Sequence, residues 1–137
     1  MSIYQWLRLW RIRRRIKKSG LFYSTYYCEH LPGGNLRGLS PIAHYLRYGA
    51  EAGLAPNPLF DTAWYMHTYP DVTAEGINPL YHYIQHGADE LRDPGPLFST
   101  SGYLAAYPDV RNAAINPLLH YLRYGAAEQR HALRLAG

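Results

Sequence analysis

The sequence predicts an all-α protein of three tandem 38-residue helical repeats in a short stack, preceded by a basic amphipathic N-terminal helix. Three observations support this: a regular 38-residue spacing, matching helix-start and helix-stop signals in each copy, and apolar residues at helical spacing. The run from His44 to Ala50 recurs unchanged from His120 to Ala126. The predicted segments are a leader over 1–20 and a repeat domain over 21–137, whose copies span 22–59, 60–97 and 98–135.

The second half of each copy carries signals for a short helix. A good N-cap residue stands before a proline, which fits the first helical position because proline has no N–H to leave unpaired. A glycine follows about eight residues later, where a positive φ would end the helix. We therefore predict helices over 41–48, 79–86 and 117–124. The repeated positions assigned to this structural role are Pro41, Pro79, Pro117, Gly49, Gly87 and Gly125.

An earlier helix is predicted in the second and third copies, over 61–69 and 99–107, and a Tyr-Pro pair ends each of them. In the first copy the corresponding exit reads Leu-Pro-Gly-Gly over 31–34, so this half should be looser. The third copy lacks the prolines that end the second copy. Its tail over 128–135 is therefore predicted to extend as a terminal capping helix.

Charge is unevenly distributed along the 137 residues. Residues 1–20 hold seven of the 14 basic side chains and no acidic one, whereas the remaining residues hold the other seven and all ten acidic side chains. The body is therefore not a cationic surface, which disfavours nucleic acid as a partner. Cys28 is the one cysteine, so neither an intrachain disulfide nor a cysteine metal cluster is expected.

The leader is predicted to be amphipathic, with Ile3, Trp6, Leu7 and Trp10 at i, i+3, i+4 and i+7. An interfacial helix on an anionic membrane, or one that contacts an acidic protein partner, has this pattern. A helix that caps the first repeat and leaves its charges solvated fits equally well. The residues predicted to contact a membrane or anionic partner are Trp6, Trp10, Arg8, Arg11, Arg13, Arg14, Arg15, Lys17 and Lys18.

The segments 60–65, 69–72 and 78–83 resemble a repeat found beside bacterial glycosyltransferases that build cell-surface polysaccharide, and also in some large secreted bacterial proteins. A basic leader often precedes the first copy in the glycosyltransferase setting. The resemblance implies a non-catalytic interaction or positioning module in the cytoplasm, peripheral to the inner membrane. A non-catalytic segment of a glycosyltransferase whose catalytic domain lies elsewhere, and a carbohydrate-binding repeat, are the alternatives.

Three histidines, His44, His82 and His120, occupy the same slot in all copies. Since a catalytic residue is rarely needed three times, we predict a structural role in which the imidazole bonds a loop carbonyl. His82 and His86 stand at i and i+4, but the other copies lack the second histidine and no third ligand is evident. We therefore predict no metal, no cofactor and no catalytic residue.

The many tyrosines are expected mainly in the core, because a tyrosine buries its ring while its hydroxyl finds a partner. The aromatics most suited to face a ligand such as a glycan are Trp64, Tyr69 and Tyr107. Asp71 and Asp109 could be paired carboxylates, but their place after Tyr-Pro favours helix capping.

Overall fold

The computed structural model describes residues 2–133, and it confirms the predicted all-α fold with repeats. Among these residues no β-strand is present, only an isolated bridge between Gly95 and Phe98. The α-helices are α1 (Ile3–Ser19), α2 (Ser24–Glu29), α3 (Pro41–His44), α4 (Thr62–Thr68), α5 (Pro70–Ala74), α6 (Pro79–His82), α7 (Thr100–Ala106), α8 (Pro108–Ala113) and α9 (Pro117–His120). π-helical turns continue α3, α6 and α9 over Tyr45–Gly49, Tyr83–Gly87 and Tyr121–Gly125, and a short 3-10 turn spans Pro32–Gly34.

Helix α1 has defined signals at both ends. A capping box closes its start: Ser2 Oγ accepts the Gln5 N–H at 3.2 Å, and the Gln5 side chain accepts the Ser2 N–H at 2.9 Å. Gly20, with a left-handed φ of 73°, ends it. Lys17 and Lys18 lie in the last turn, where positive charge is favourable beside the helix C-terminus.

Each repeat is built on a pair of short helices that pack against each other. The pairs are α2 with α3, α4 with α6, and α7 with α9, and α5 and α8 add a short third helix in the second and third copies. In the first copy Gly33 and Gly34 adopt positive φ where α5 would lie, and a 3-10 turn stands in place of that helix. A backbone hydrogen bond joins the start of each copy to its exit: Tyr23 N–Pro56 O, Asp61 N–Pro94 O and Ser99 N–Ala132 O.

Neighbouring copies are joined by one threonine hydroxyl at each junction. Thr62 Oγ1 donates to the Leu54 carbonyl oxygen at 2.7 Å, so the Tyr45 hydroxyl donates to Thr62 Oγ1 at 2.9 Å. The second junction repeats these two bonds with Tyr83, Thr100 and Arg92. Because both the tyrosine and the threonine are fully buried, each junction is a specific polar contact inside the core.

The second helix of each copy is present where the sequence predicts it, but it ends differently. Gly49, Gly87 and Gly125 are not among the residues with positive φ, so the predicted glycine cap is wrong. The chain instead stays right-handed and winds through a π-turn, in which the Ala50 N–H reaches the Tyr45 carbonyl at 2.9 Å. Glycine is needed at these positions because a neighbouring tyrosine hydroxyl leaves no room for a Cβ.

The predicted tail helix is also wrong over its described part, residues 128–133, which are irregular. The carbonyl of Ala132 accepts the Ser99 N–H, as Pro94 does for Asp61, so the tail follows the ordinary exit path of a repeat. The remaining positions of that predicted helix, 134 and 135, lie outside the described residues.

Candidate functional site

A buried tyrosine, histidine and glycine form one unit inside each repeat. In the second copy Tyr65 Oη and His82 Nδ1 share a hydrogen bond of 2.7 Å, and both side chains are buried. The same 2.7 Å bond joins Tyr27 to His44 and Tyr103 to His120. The histidines therefore bond a tyrosine hydroxyl rather than the predicted loop carbonyl, because the first helix carries that hydroxyl up against the second.

The glycine of each unit makes room for this hydroxyl. A Cβ placed on Gly87 would collide with Tyr65 Oη and lie 3.2 Å from Tyr83 Cδ1. Gly49 and Gly125 meet the hydroxyls of Tyr27 and Tyr103 in the same way. Glycine is needed here for close approach of the two helices, which is a packing constraint and not a backbone one.

The two ring nitrogens of His82 have different neighbours. Its Nδ1 is bonded to Tyr65, and its Nε2 lies 3.6 Å from Glu90 Oε1. Within residues 2–133 no group of three or more histidine, cysteine, aspartate or glutamate side chains could hold a metal ion. Burial lowers the pKa of His82 below its usual value, Arg92 acts in the same direction, and Glu90 and Asp71 oppose them.

We expect the repeat to lose stability on mild acidification because of His82. Its folded pKa is lowered, so its contribution is present above the unfolded value of about 6.5 and is lost as the pH falls below it. Urea denaturation at a series of pH values around 6.5 measures this slope. His82→Gln should flatten it relative to His67→Gln, which removes an exposed imidazole of α4 and leaves the Tyr65 bond intact. An equal slope in both variants would argue against His82 as its source.

An aspartate–arginine ion pair, called the latch here, lies at the end of the second copy and of the third copy. Asp71 lies in the first turn of α5, so it does stand at the start of a short helix as predicted, but the N-cap residue is Tyr69. Its carboxylate accepts two hydrogen bonds from Arg92, at 2.8 and 2.9 Å, and Arg130 binds Asp109 alike at 2.9 and 3.0 Å. These arginines hold the pKa of both carboxyl groups below its ordinary value.

The aromatics that the sequence suggests as ligand-facing belong to this latch. The Arg92 guanidinium lies over the Tyr69 ring at 4.9 Å, and the Tyr69 hydroxyl accepts the Asp93 N–H at 2.8 Å. Tyr107 has the same two contacts, with Arg130 and the His131 N–H. Trp64 stands edge-on to Tyr69 at 6.1 Å between ring centroids. A guanidinium thus covers one face of the Tyr69 ring and one face of the Tyr107 ring.

The second half of α1 is anchored in the repeats. Ile16 is fully buried in the common core, Ile12 packs against that core, and α1 contacts both α3 and α6. Arg15 Nε donates to Gln85 Oε1 at 2.7 Å, and the Gly20 backbone lies against Leu119 of the third copy. This half of the helix therefore packs against the first and second copies, and Gly20, which ends the helix, lies against the third.

The first half of α1 extends away from that anchor with its apolar side chains exposed. Trp6 is 57% and Trp10 is 45% exposed, and Ile3 and Leu7 on the same face are exposed as well. Every basic side chain predicted for a membrane or anionic partner, from Arg8 to Lys18, is also exposed. The first half of the helix therefore presents exposed apolar and basic side chains, whereas its second half packs on the repeats.

The basic side chains continue the apolar strip along the same face. Trp10, Arg13, Arg14 and Lys17 stand at i, i+3, i+4 and i+7, and Trp10 also ends the strip that begins at Ile3. Arg14 lies over the Trp10 ring at 5.2 Å, which joins the two parts. No helix of the described chain is long and apolar enough to cross a bilayer.

Sequence reasoning missed the tyrosine of each Tyr-His-Gly unit and the arginine of each latch. Both leave a signal in the repeat. Tyr27, Tyr65 and Tyr103 each precede the repeated histidine by 17 residues, and Arg92 and Arg130 each follow the repeated aspartate by 21 residues. Comparisons with protein-family models, with curated proteins and with solved structures found no match.

Proposed function

We propose that this chain is a non-catalytic docking module that lies on an anionic membrane surface through the first half of α1 and holds the repeat stack beside it. The observation that carries the proposal is the exposed strip from Ile3 to Trp10, which continues into a basic strip on one face of an anchored helix. Exposed apolar patches of this kind mark interaction surfaces.

Charge and chemistry favour a membrane as the occupant of this strip. Residues 1–20 carry seven basic side chains and no acidic one, and each basic residue near an anionic leaflet gains roughly 1 kcal/mol. Tryptophan suits the boundary between headgroups and acyl chains because its ring is apolar and its N–H is polar. The anchoring of Ile16 in the core fixes the strip relative to the repeats, so a bound membrane would orient the whole stack.

The wider setting that we propose is bacterial surface-polysaccharide synthesis at the inner membrane. The support for it is the resemblance of 69–72 and 78–83 to the repeat found beside glycosyltransferases. The repeat stack would then position a protein partner of that machinery. In the described copies the repeated histidines and carboxylates are engaged in the Tyr-His-Gly units and latches, which supports a positioning role rather than chemistry.

We expect the protein to sediment with vesicles that contain anionic lipid and to be released by salt. Trp6→Ala with Trp10→Ala should weaken binding roughly thirtyfold, since two partly inserted indole rings contribute about 2 kcal/mol. Vesicle sedimentation and tryptophan fluorescence measure this loss.

A matched control removes exposed apolar side chains elsewhere. Leu91→Ala with Leu97→Ala trims two exposed leucines of the second copy and should leave vesicle binding unchanged. If the intact protein stays in the supernatant with anionic vesicles at low salt, or if both double variants bind equally, membrane docking through α1 is wrong.

A further inference from the structure

A groove of about 440 Å³ separates the basic strip of α1 from the first repeat. Its α1 side is lined by Trp10, Arg13, Arg14 and Lys17, and its first-repeat side by Ser24, Ser40, Pro41 and Ile42. Among the residues that line the groove, none is acidic. Its volume falls within the range of small-molecule sites in proteins, which is about 300–1,000 Å³.

The three cationic side chains of this groove point to a phosphate ligand. Arginine presents a planar fork that binds two oxygens of a phosphate at once, and lysine adds a point charge beside it. The Trp10 ring lies beside Arg14 at 5.2 Å and so holds one guanidinium at the groove wall. Three positive charges favour a dianion over a singly charged group.

The serine side of the groove adds hydrogen-bond donors. Ser40 Oγ accepts the Ala43 N–H at 3.3 Å as the cap of α3, so its own hydroxyl hydrogen can be donated to a ligand. Ser24, at the start of α2, is exposed and lines the same space. A phosphate oxygen between the two walls would meet cations on one side and a hydroxyl group on the other.

We propose that this groove binds a phosphomonoester dianion, and that the phosphate belongs to a lipid headgroup when the protein lies on a membrane. The second part rests on the proposed membrane docking. It follows from position, because Trp10 belongs both to the groove wall and to the exposed strip that would enter the membrane. A lipid whose headgroup fills the groove would have its acyl chains beside Trp6 and Trp10.

The test compares two kinds of vesicle that have the same surface charge. One contains phosphatidic acid, whose headgroup is a phosphomonoester, and the other contains phosphatidylserine, whose phosphate is a diester. The intact chain should prefer phosphatidic acid about tenfold. Arg14→Gln with Lys17→Gln should abolish this preference, whereas Arg8→Gln with Arg11→Gln removes two charges of the same helix outside the groove and should weaken binding to both vesicles alike.

A second arm titrates inorganic phosphate into the intact chain and into both double variants by calorimetry, with circular dichroism as a check that each is folded. Phosphate binding that is lost only in Arg14→Gln with Lys17→Gln supports the groove as a phosphate site, whether or not vesicles are bound. If no vesicle is bound, the ligand of the groove is a soluble phosphate and the membrane-docking proposal is wrong. Equal binding to the two vesicles together with no binding of inorganic phosphate overturns the proposal. So does a vesicle preference that both double variants lower equally.

Discussion

Replacing Gly87 by alanine is expected to destabilise the protein by about 2–4 kcal/mol, which is a large share of the stability of a small domain. The added Cβ would collide with Tyr65 Oη and crowd the Tyr83 ring. Overpacking of this kind typically costs about 1–3 kcal/mol, and moving Tyr65 away from His82 adds about 1–3 kcal/mol. Alanine recovers at most about 1 kcal/mol through its better helix propensity. Denaturation in urea, followed by circular dichroism, measures the difference.

A double-mutant cycle isolates the collision from other roles of the glycine. Tyr65→Phe removes the hydroxyl that the Cβ would meet, so Gly87→Ala should be much less harmful in that background. The double variant should be more stable than the sum of the two single effects predicts, with a coupling energy above about 1 kcal/mol. Additive effects of the two changes would mean that the glycine recurs in all three copies for a reason other than its contact with the tyrosine hydroxyl.

The helices could be predicted from the sequence because their signals are local. Proline at the first helical position and a polar cap before it mark the starts of α3, α6 and α9, and the structure shows these caps accepting N–H groups. Each signal involves residues within one turn of each other. Because the same signals recur in all three copies, the same helix start is predicted three times.

The ends of these helices could not be predicted from local signals alone. A glycine after a short helix usually marks a left-handed cap, and Gly87 satisfies that pattern in the sequence. What makes glycine necessary at this position is Tyr65, which lies 22 residues earlier on another helix and leaves no room for a Cβ. The constant separation of tyrosine, histidine and glycine in all copies is the signal that could have shown the contact.

The candidate site was only partly predictable for a similar reason. The basic and apolar face of the leader follows from helical periodicity, and this face is exposed as the membrane interpretation requires. The groove against the first repeat depends instead on how α1 packs on the repeats. This packing involves residues far apart in the sequence, since Ile16 is fully buried and α1 contacts both α3 and α6.

The whole stack is expected to unfold between about pH 10 and pH 12, because its core depends on protonated tyrosines. Burial raises the pKa of Tyr27 and Tyr103 to about 12, and it raises the pKa of Tyr45, Tyr65 and Tyr83 as well. Since the folded pKa lies above the unfolded value of 10.0, the stabilisation is complete below pH 10 and is lost as the pH rises. Each proton that only the unfolded chain releases lowers the free energy of unfolding by ~1.4 kcal/mol per pH unit. Five such tyrosines together therefore lower it by ~7 kcal/mol per pH unit.

Ellipticity and tyrosinate absorbance, recorded together during an alkaline titration, measure this loss. The buried tyrosines should ionise in the same transition that removes the helical signal, and return to lower pH should restore it. Tyr103→Phe should reduce the proton release on unfolding by about one, since it removes one ionising group from the core. Helical signal that survives after all 14 tyrosines have ionised would show that the hydroxyl bonds to His120 and its counterparts do not hold the repeats together.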